Sequence, residues 1–182
     1  MNRHKVFISY HHTEPDQSYR NQFENIFVNN HDIMVSKSVQ IGEIVSTLRT
    51  ETIRQKIRDE YLSDSTVTIV LIGTLTWQRK HVDWEISSSI RATLNSSRSG
   101  LLGIFLPSYP LSSQNKFNTN TIPPRLYDNW KDEKKRFAGL YNWSLNPLDI
   151  QKWIHEAFDK RDKMSPDNSY EHFSNNKTSD HW

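Results

Sequence analysis

Ser65-Thr-Val-Thr-Ile-Val-Leu-Ile-Gly73, followed by Thr74-Leu-Thr-Trp-Gln-Arg-Lys-His-Val-Asp-Trp-Glu-Ile-Ser-Ser-Ser-Ile90, decides the fold. Ile69 to Ile72 is a short, wholly apolar run that stops at a glycine, the mark of a strand buried on both faces. A polar loop follows, and then Val82, Ile86 and Ile90 recur every four residues, the spacing of an amphipathic helix. Glu85 stands early in that helix, so a carboxyl group falls near the carboxyl end of a buried strand. Ligands bind at that end in open α/β sheets.

Working outward, Val6 to Tyr10 reads as a first strand, β-branched and aromatic, ending in hydroxyls and then His11-His12. Pro15 suits the first turn of a helix, and Tyr19, Phe23, Ile26 and Phe27 carry that helix to about Asn30. Ile33 to Val35 reads as a short second strand. Ile44, Leu48, Ile53, Ile57 and Tyr61 trace a second helix after the break at Gly42. The helix containing Glu85 extends to Leu94 and is closed by Gly100, and Leu101 to Leu106 is a fourth strand stopped by Pro107. Phe137 to Trp143 reads as an edge strand, and Pro147 to Lys160 as a last helix with Leu148, Trp153, Ile154 and Phe158 inward.

Strands alternate with helices throughout. That order requires right-handed crossovers and a parallel sheet covered on both faces. The expected fold is α/β and flavodoxin-like: three layers around a central, mainly parallel sheet of about five strands. The main domain covers 1–163. An irregular insertion at about 108–136 is rich in Ser, Asn, Thr and Pro, and 164–182 reads as a polar, disordered tail.

The chain has 182 residues, which suits one domain. With 23 basic and 21 acidic residues its formal charge is +2, too balanced for a nucleic-acid or anionic-membrane protein. The cluster Lys131 to Arg136 includes Asp132 and Glu133 and reads as solvated surface. There is no cysteine, so disulfides, thiolate nucleophiles and Cys-based zinc sites are excluded. Neither a signal peptide nor an apolar run long enough for a membrane span is present, and the expected location is the cytoplasm. The Gly-x-Gly-x-x-Gly and Gly-Lys-Ser/Thr phosphate loops are both missing. An acidic pair after the first strand and an Asp after the third, which a phospho-acceptor domain would need, are missing too. The eight histidines form no recognisable ligand spacing, and no metal site is expected.

Glu85 lies one residue before the inward Ile86, at the edge of the buried face. An exposed helical Glu is usually only solvated, and a boundary position admits a carboxylate in a partly apolar cleft. Trp77 and Trp84, seven residues apart, would then form its aromatic walls. Ser9, Tyr10 and His11 serve either as strand-end turn chemistry or as hydroxyl and imidazole groups lining the same crevice. The crevice follows from the topology, in which the first and third strands are neighbours.

These residues resemble a known family. Val6-Phe7-Ile8-Ser9-Tyr10 looks like the first box of TIR domains. Val70-Leu71-Ile72-Gly73, Thr76, Arg79, Trp84 and Glu85-Ile86 resemble the TIR-like proteins of the Thoeris antiphage defence system. The likeness covers about Lys5 to Leu106. The Arg-Asp…Pro-Gly signature of receptor TIR domains is missing, and His81 stands where an aromatic residue is expected.

The resemblance implies NAD-consuming chemistry: cleavage of the nicotinamide–ribose bond and release of a cyclic ADP-ribose-type signal that activates a partner effector. NAD is then the substrate, and no separate cofactor is implied. Glu85 is the implied catalytic residue. Trp84 or Trp77 would stack on nicotinamide, Ser9, Tyr10 and His11 would contact ribose or phosphate, and Arg79 or Lys80 would meet the pyrophosphate. Two other readings stay open: a non-catalytic TIR interaction module, and a nucleoside deoxyribosyltransferase-like enzyme acting on free nucleosides. A flavin-binding protein is a weaker third. Self-association and the activating trigger are left open by the sequence.

Overall fold

The computed structural model describes residues 3–37, 52, 56–93, 96–112 and 116–182. Five strands form one sheet: β1 (His4–Ser9), β2 (Met34–Ser36), β3 (Val67–Ile72), β4 (Gly100–Phe105) and β5 (Gly139–Asn142). Their order is β2-β1-β3-β4-β5, and every neighbouring pair is parallel. Among the described residues the longer helices are α1 (Asp16–Glu24), which continues as a π-helical stretch Asn25–Asn30, α2 (Lys80–Ser89) and α4 (Pro147–Lys163), with a short α3 (Pro124–Asp128) between the last two. The expected flavodoxin-like α/β sheet is present, and β1 and β3 are paired at its centre, with Ser9 opposite Val70.

The two faces follow from strand alternation. Val6, Ile8, Val67, Ile69, Leu71, Leu102 and Ile104 pack with Phe23 and Phe27 after β1 and with Ile150, Ile154 and Ala157 of α4. Val70, Ile72, Leu101 and Phe105 face the other way, onto Val82 and Ile86 of α2 and Leu126 of α3. Phe7 meets Trp84, Ile57 and Leu62 on that second face. Every residue of β3 and of β4 is buried. Each large apolar side chain so buried stabilises the sheet by roughly 2 kcal/mol.

Several boundaries differ from the sequence expectation. Gly100 does not close a helix; it is the first residue of β4. A Cβ there would run into the Ala157 carbonyl of α4, so the glycine permits close helix-on-strand approach. The helix carrying Glu85 ends at Ser89, and Leu94 lies outside the described residues. The irregular insertion contains a helix, α3, because Pro124 takes its first position, where no backbone N–H is required. The final helix continues past Lys160 to Lys163. The second helix expected from Ile44 onward falls mostly outside the described residues, within which Ile57–Tyr61 is a π-helical stretch.

The segment 164–182, expected as a disordered tail, is laid against α2 and α3. Phe173 is 3% exposed, and both Trp84 and Trp182 spend their indole N–H on this packing. Its polar composition hid this, because most of its contacts are hydrogen bonds. No helix among the described residues is long and apolar enough to cross a membrane.

Candidate functional site

The carboxyl ends of β1 and β3 meet the first half of α2. Strand alternation turns Ser9 toward α2 and the next residue, Tyr10, toward the α1 side. Ser9 Oγ donates a hydrogen bond to Glu85 Oε2. Both residues are buried, Ser9 at 0% and Glu85 at 1% exposure. Burial pushes the Glu85 carboxyl up from its ordinary 4.5 to about 8, and the Ser9 hydroxyl opposes that shift. In this closed arrangement Glu85 is mainly the neutral acid at pH 7.

The other sequence candidates are arranged around this pair, not all on one side. Tyr10 Oη donates to Gln17 Oε1 at 2.7 Å, and the Arg20 guanidinium lies 5.8 Å from its ring centre. Tyr10 therefore belongs to the α1 face and does not share a crevice wall with Ser9. Trp84 is buried against Phe7, Ile57 and Leu62, and Lys80 Nζ sits 4.8 Å over its ring. Trp77 is 3% exposed, in the short turn Thr76–Gln78 that leads into α2. Arg79 reaches back to the Leu75 carbonyl and to Gln78 Oε1.

His11, His12 and His81 gather beside Arg79. The His12 ring stands 4.7 Å from that of His81 and 4.4 Å from that of Tyr10. His81 Nε2 lies 3.0 Å from the Tyr10 carbonyl; a carbonyl only accepts, so that nitrogen carries the proton. Burial, helped by Arg79 and His81, holds His11 down at about 4. Burial and the neighbouring imidazoles do the same to His12, also at about 4. Burial lowers His81 as well. The three imidazoles are neutral at pH 7, with Arg79 acting on His11 and His81 and Arg20 on His12. Among the described residues no group of three or more His, Asp or Glu is placed to hold a metal ion.

Two further buried acids were not singled out by the sequence. Asp16, 3% exposed at the start of α1, accepts from Ser108 Oγ at 3.0 Å and lies 3.4 Å from Thr76 Oγ1. Gly73 makes room for it: a Cβ at that position would collide with the Asp16 carboxylate. Asp83 accepts from Arg125 Nε at 3.0 Å, with both side chains almost wholly buried. An apolar-stripe reading of α2 puts Asp83 on the outer face, and it offers no signal that an arginine 42 residues on would meet it.

Two surface cavities lie away from Glu85. One, of about 700 Å³, is lined by residues 170–179. The other, of about 550 Å³, is at the opposite end of the sheet, around His4, His155 and Phe158. Glu85 lines neither of these, and at 1% exposure it is closed off from solvent.

A search of curated proteins gives no match. The family model described as "Thoeris protein ThsB, TIR-like domain" matches residues 7–110, more than half of the chain. The matched span holds the end of β1 from Phe7, all of β2, β3 and β4 and the whole of α2, including Ser9 and Glu85. The chain belongs to the TIR-like domain family of the Thoeris protein ThsB.

Proposed function

We propose that this defence-related TIR-like protein is an enzyme that cleaves the nicotinamide–ribose bond of NAD and releases a cyclic ADP-ribose-type signal for an effector protein. The observation that carries the proposal is Glu85: an acid buried against Ser9 at the carboxyl ends of β1 and β3, inside the family match. The chemistry needs one carboxylate. Ordinary glycoside hydrolysis needs a second acid to protonate the leaving oxygen. Nicotinamide leaves NAD as a neutral molecule from a pyridinium cation, so no proton is supplied. The bond to the pyridine nitrogen breaks, the electron pair goes to the ring, and positive charge develops on the ribose. Glu85, once ionised, stabilises that charge.

Ser9 orients the Glu85 carboxyl. Trp84 and Trp77 supply aromatic surface for nicotinamide, and Lys80, Arg79 and His11 supply polar and cationic groups for pyrophosphate and ribose. Tyr10 contributes from the far face only by fixing the strand end. With water excluded, a nucleophile of the same nucleotide captures the ribose cation, which yields a cyclic product. Since Glu85 is 1% exposed, the packing around it must open before substrate reaches it.

The test is incubation of the protein and its Glu85→Gln variant with NAD, with products resolved by chromatography and mass detection. Nicotinamide and a cyclic ADP-ribose mass from the parent alone support the proposal. Equal nicotinamide release from both removes Glu85 from the mechanism. A non-catalytic interaction module has one observation on its side, the complete burial of Glu85. It predicts no turnover from either protein and partner binding that survives Glu85→Gln.

A further inference from the structure

The N-terminus of α2 is not capped by its own sequence. Arg79, the residue before the helix, makes no side-chain cap. The Lys80 N–H is instead taken by Asn176 Oδ1 at 2.9 Å, from 96 residues further along the chain. An unfilled first-turn donor weakens a helix end, so this long-range cap matters to α2.

The same segment grips α2 through side-chain and main-chain groups together: Asn168 Nδ2 donates to the Ser87 carbonyl at 3.0 Å, and His172 Nε2 lies 2.7 Å from Ser87 Oγ. The Phe173 N–H donates to Asp83 Oδ2 at 3.0 Å, and the Phe173 carbonyl accepts from Trp84 Nε1 at 2.9 Å. The Lys177 N–H donates to the Gln78 carbonyl at 2.8 Å. On the α3 side, the buried Arg125 donates to the Tyr170 carbonyl at 2.8 Å and to Asn168 Oδ1 at 2.8 Å. One aromatic anchor, Phe173, is buried among these polar contacts. Main-chain and side-chain hydrogen bonds around one buried aromatic anchor let a groove hold a peptide segment.

We propose that the groove between α2 and α3 is a peptide-binding surface, that its resident occupant is the chain's own segment 167–182, and that occupancy holds α2 closed over Glu85. The segment seizes Asp83 and Trp84, the two residues before Glu85, and caps the turn that precedes them. Release of the clasp frees α2 to move and opens the site. This regulation rests on the reading of Glu85 as the NAD-cleaving group.

The experiment uses the full chain carrying Phe173→Ala with Asn176→Ala, both outside the substrate-contacting set. Backbone hydrogen exchange is followed over residues 80–89 and, as the control, over 67–72, alongside nicotinamide release from NAD. The expected result is exchange at least tenfold faster in α2, unchanged exchange in β3, and nicotinamide release at least fivefold above the parent. A synthetic peptide of residues 166–182, added at about 1 mM to stand in for the lost intramolecular concentration, reverses both; a scrambled peptide does not.

Unchanged exchange in α2 overturns the clasp. Faster exchange in β3 as well makes the segment part of the folding core and overturns it too. Failure of the peptide to reverse either readout overturns the groove. Faster α2 exchange, with release measurable in the parent but not raised in the variant, overturns the control of activity. Faster α2 exchange with no release from either protein supports the clasp and overturns the NAD reading, so the two failures are separable.

Discussion

Asp83 and Glu85 stand two residues apart on one helix and are equally buried, at 2% and 1% exposure, yet their surroundings are opposite. On the outer face, Asp83 accepts from the Arg125 guanidinium and from the Phe173 N–H. On the inner face, the hydrogen bond that Glu85 receives comes from a neutral hydroxyl, and burial raises it to about 8. One acid is matched by a cation; the other is held in a state that disfavours its charge. Buried acids without a counter-charge cost stability, and they persist where reactivity needs them. The comparison separates an anchor from a working group on the same helix.

The strongest way to break this comparison is to neutralise each acid in turn. Glu85→Gln keeps the shape and removes the ionisable group. Nicotinamide release should fall on the order of a thousandfold, the scale of losing a main electrostatic stabiliser, with the thermal midpoint unchanged or higher. Asp83→Asn should do the reverse. It leaves the Arg125 charge buried without its carboxylate, which costs about 3 kcal/mol, read as a lowered denaturant midpoint. If Asp83→Asn proves as stable as the parent while Glu85→Gln unfolds it, the roles of the two faces are exchanged.

The inner face was legible in the sequence and the outer face was not, for a physical reason. Val67 to Ile72, Val82 and Ile86 announce themselves by period and apolarity, and those are the rules that build the sheet and its inward helix face. Glu85 stands out in the sequence by its one-residue offset from that stripe. The outer face is built from long-range polar pairs: Asp83 with Arg125, Lys80 with Asn176, Trp84 with the Phe173 carbonyl. Such pairs leave no periodic trace, so a segment of Asn, Ser and His looked like solvated tail. Strand alternation also separates Ser9 from Tyr10, although both are hydroxyl residues at the end of one strand.

Acidity sharpens the comparison further. Glu85 ionises at its ordinary 4.5 in the unfolded chain and at about 8 when folded. Between those values the native state holds a proton that the unfolded state has lost. Its stabilising contribution is therefore complete below about pH 4.5 and is lost as pH rises through 8. The parent should lose stability by about 1 kcal/mol per pH unit across this window relative to Glu85→Gln, whose slope lacks this term. Urea midpoints of both proteins at pH 5, 6, 7 and 8 measure it. Parallel slopes would mean that Glu85 is already ionised when folded.

The smallest effect belongs to Ser9. Its hydroxyl favours the ionised form of Glu85, against the larger effect of burial. Ser9→Ala removes that support, so the carboxyl titrates at still higher pH. If the ionised form performs the reaction, kcat/KM of the parent rises with pH toward a plateau near 8, and the Ser9→Ala profile moves to the alkaline side. At pH 7 the variant should be slower by roughly fivefold, the worth of one hydrogen bond to the reacting group, and should regain most of that loss at pH 9. A structural role for Ser9 alone would lower the rate equally at every pH. A parent rate that instead falls as pH rises through 8, with the Ser9→Ala fall still moved to the alkaline side, would mean that the neutral acid is the working form, and Glu85 would then act as a proton donor.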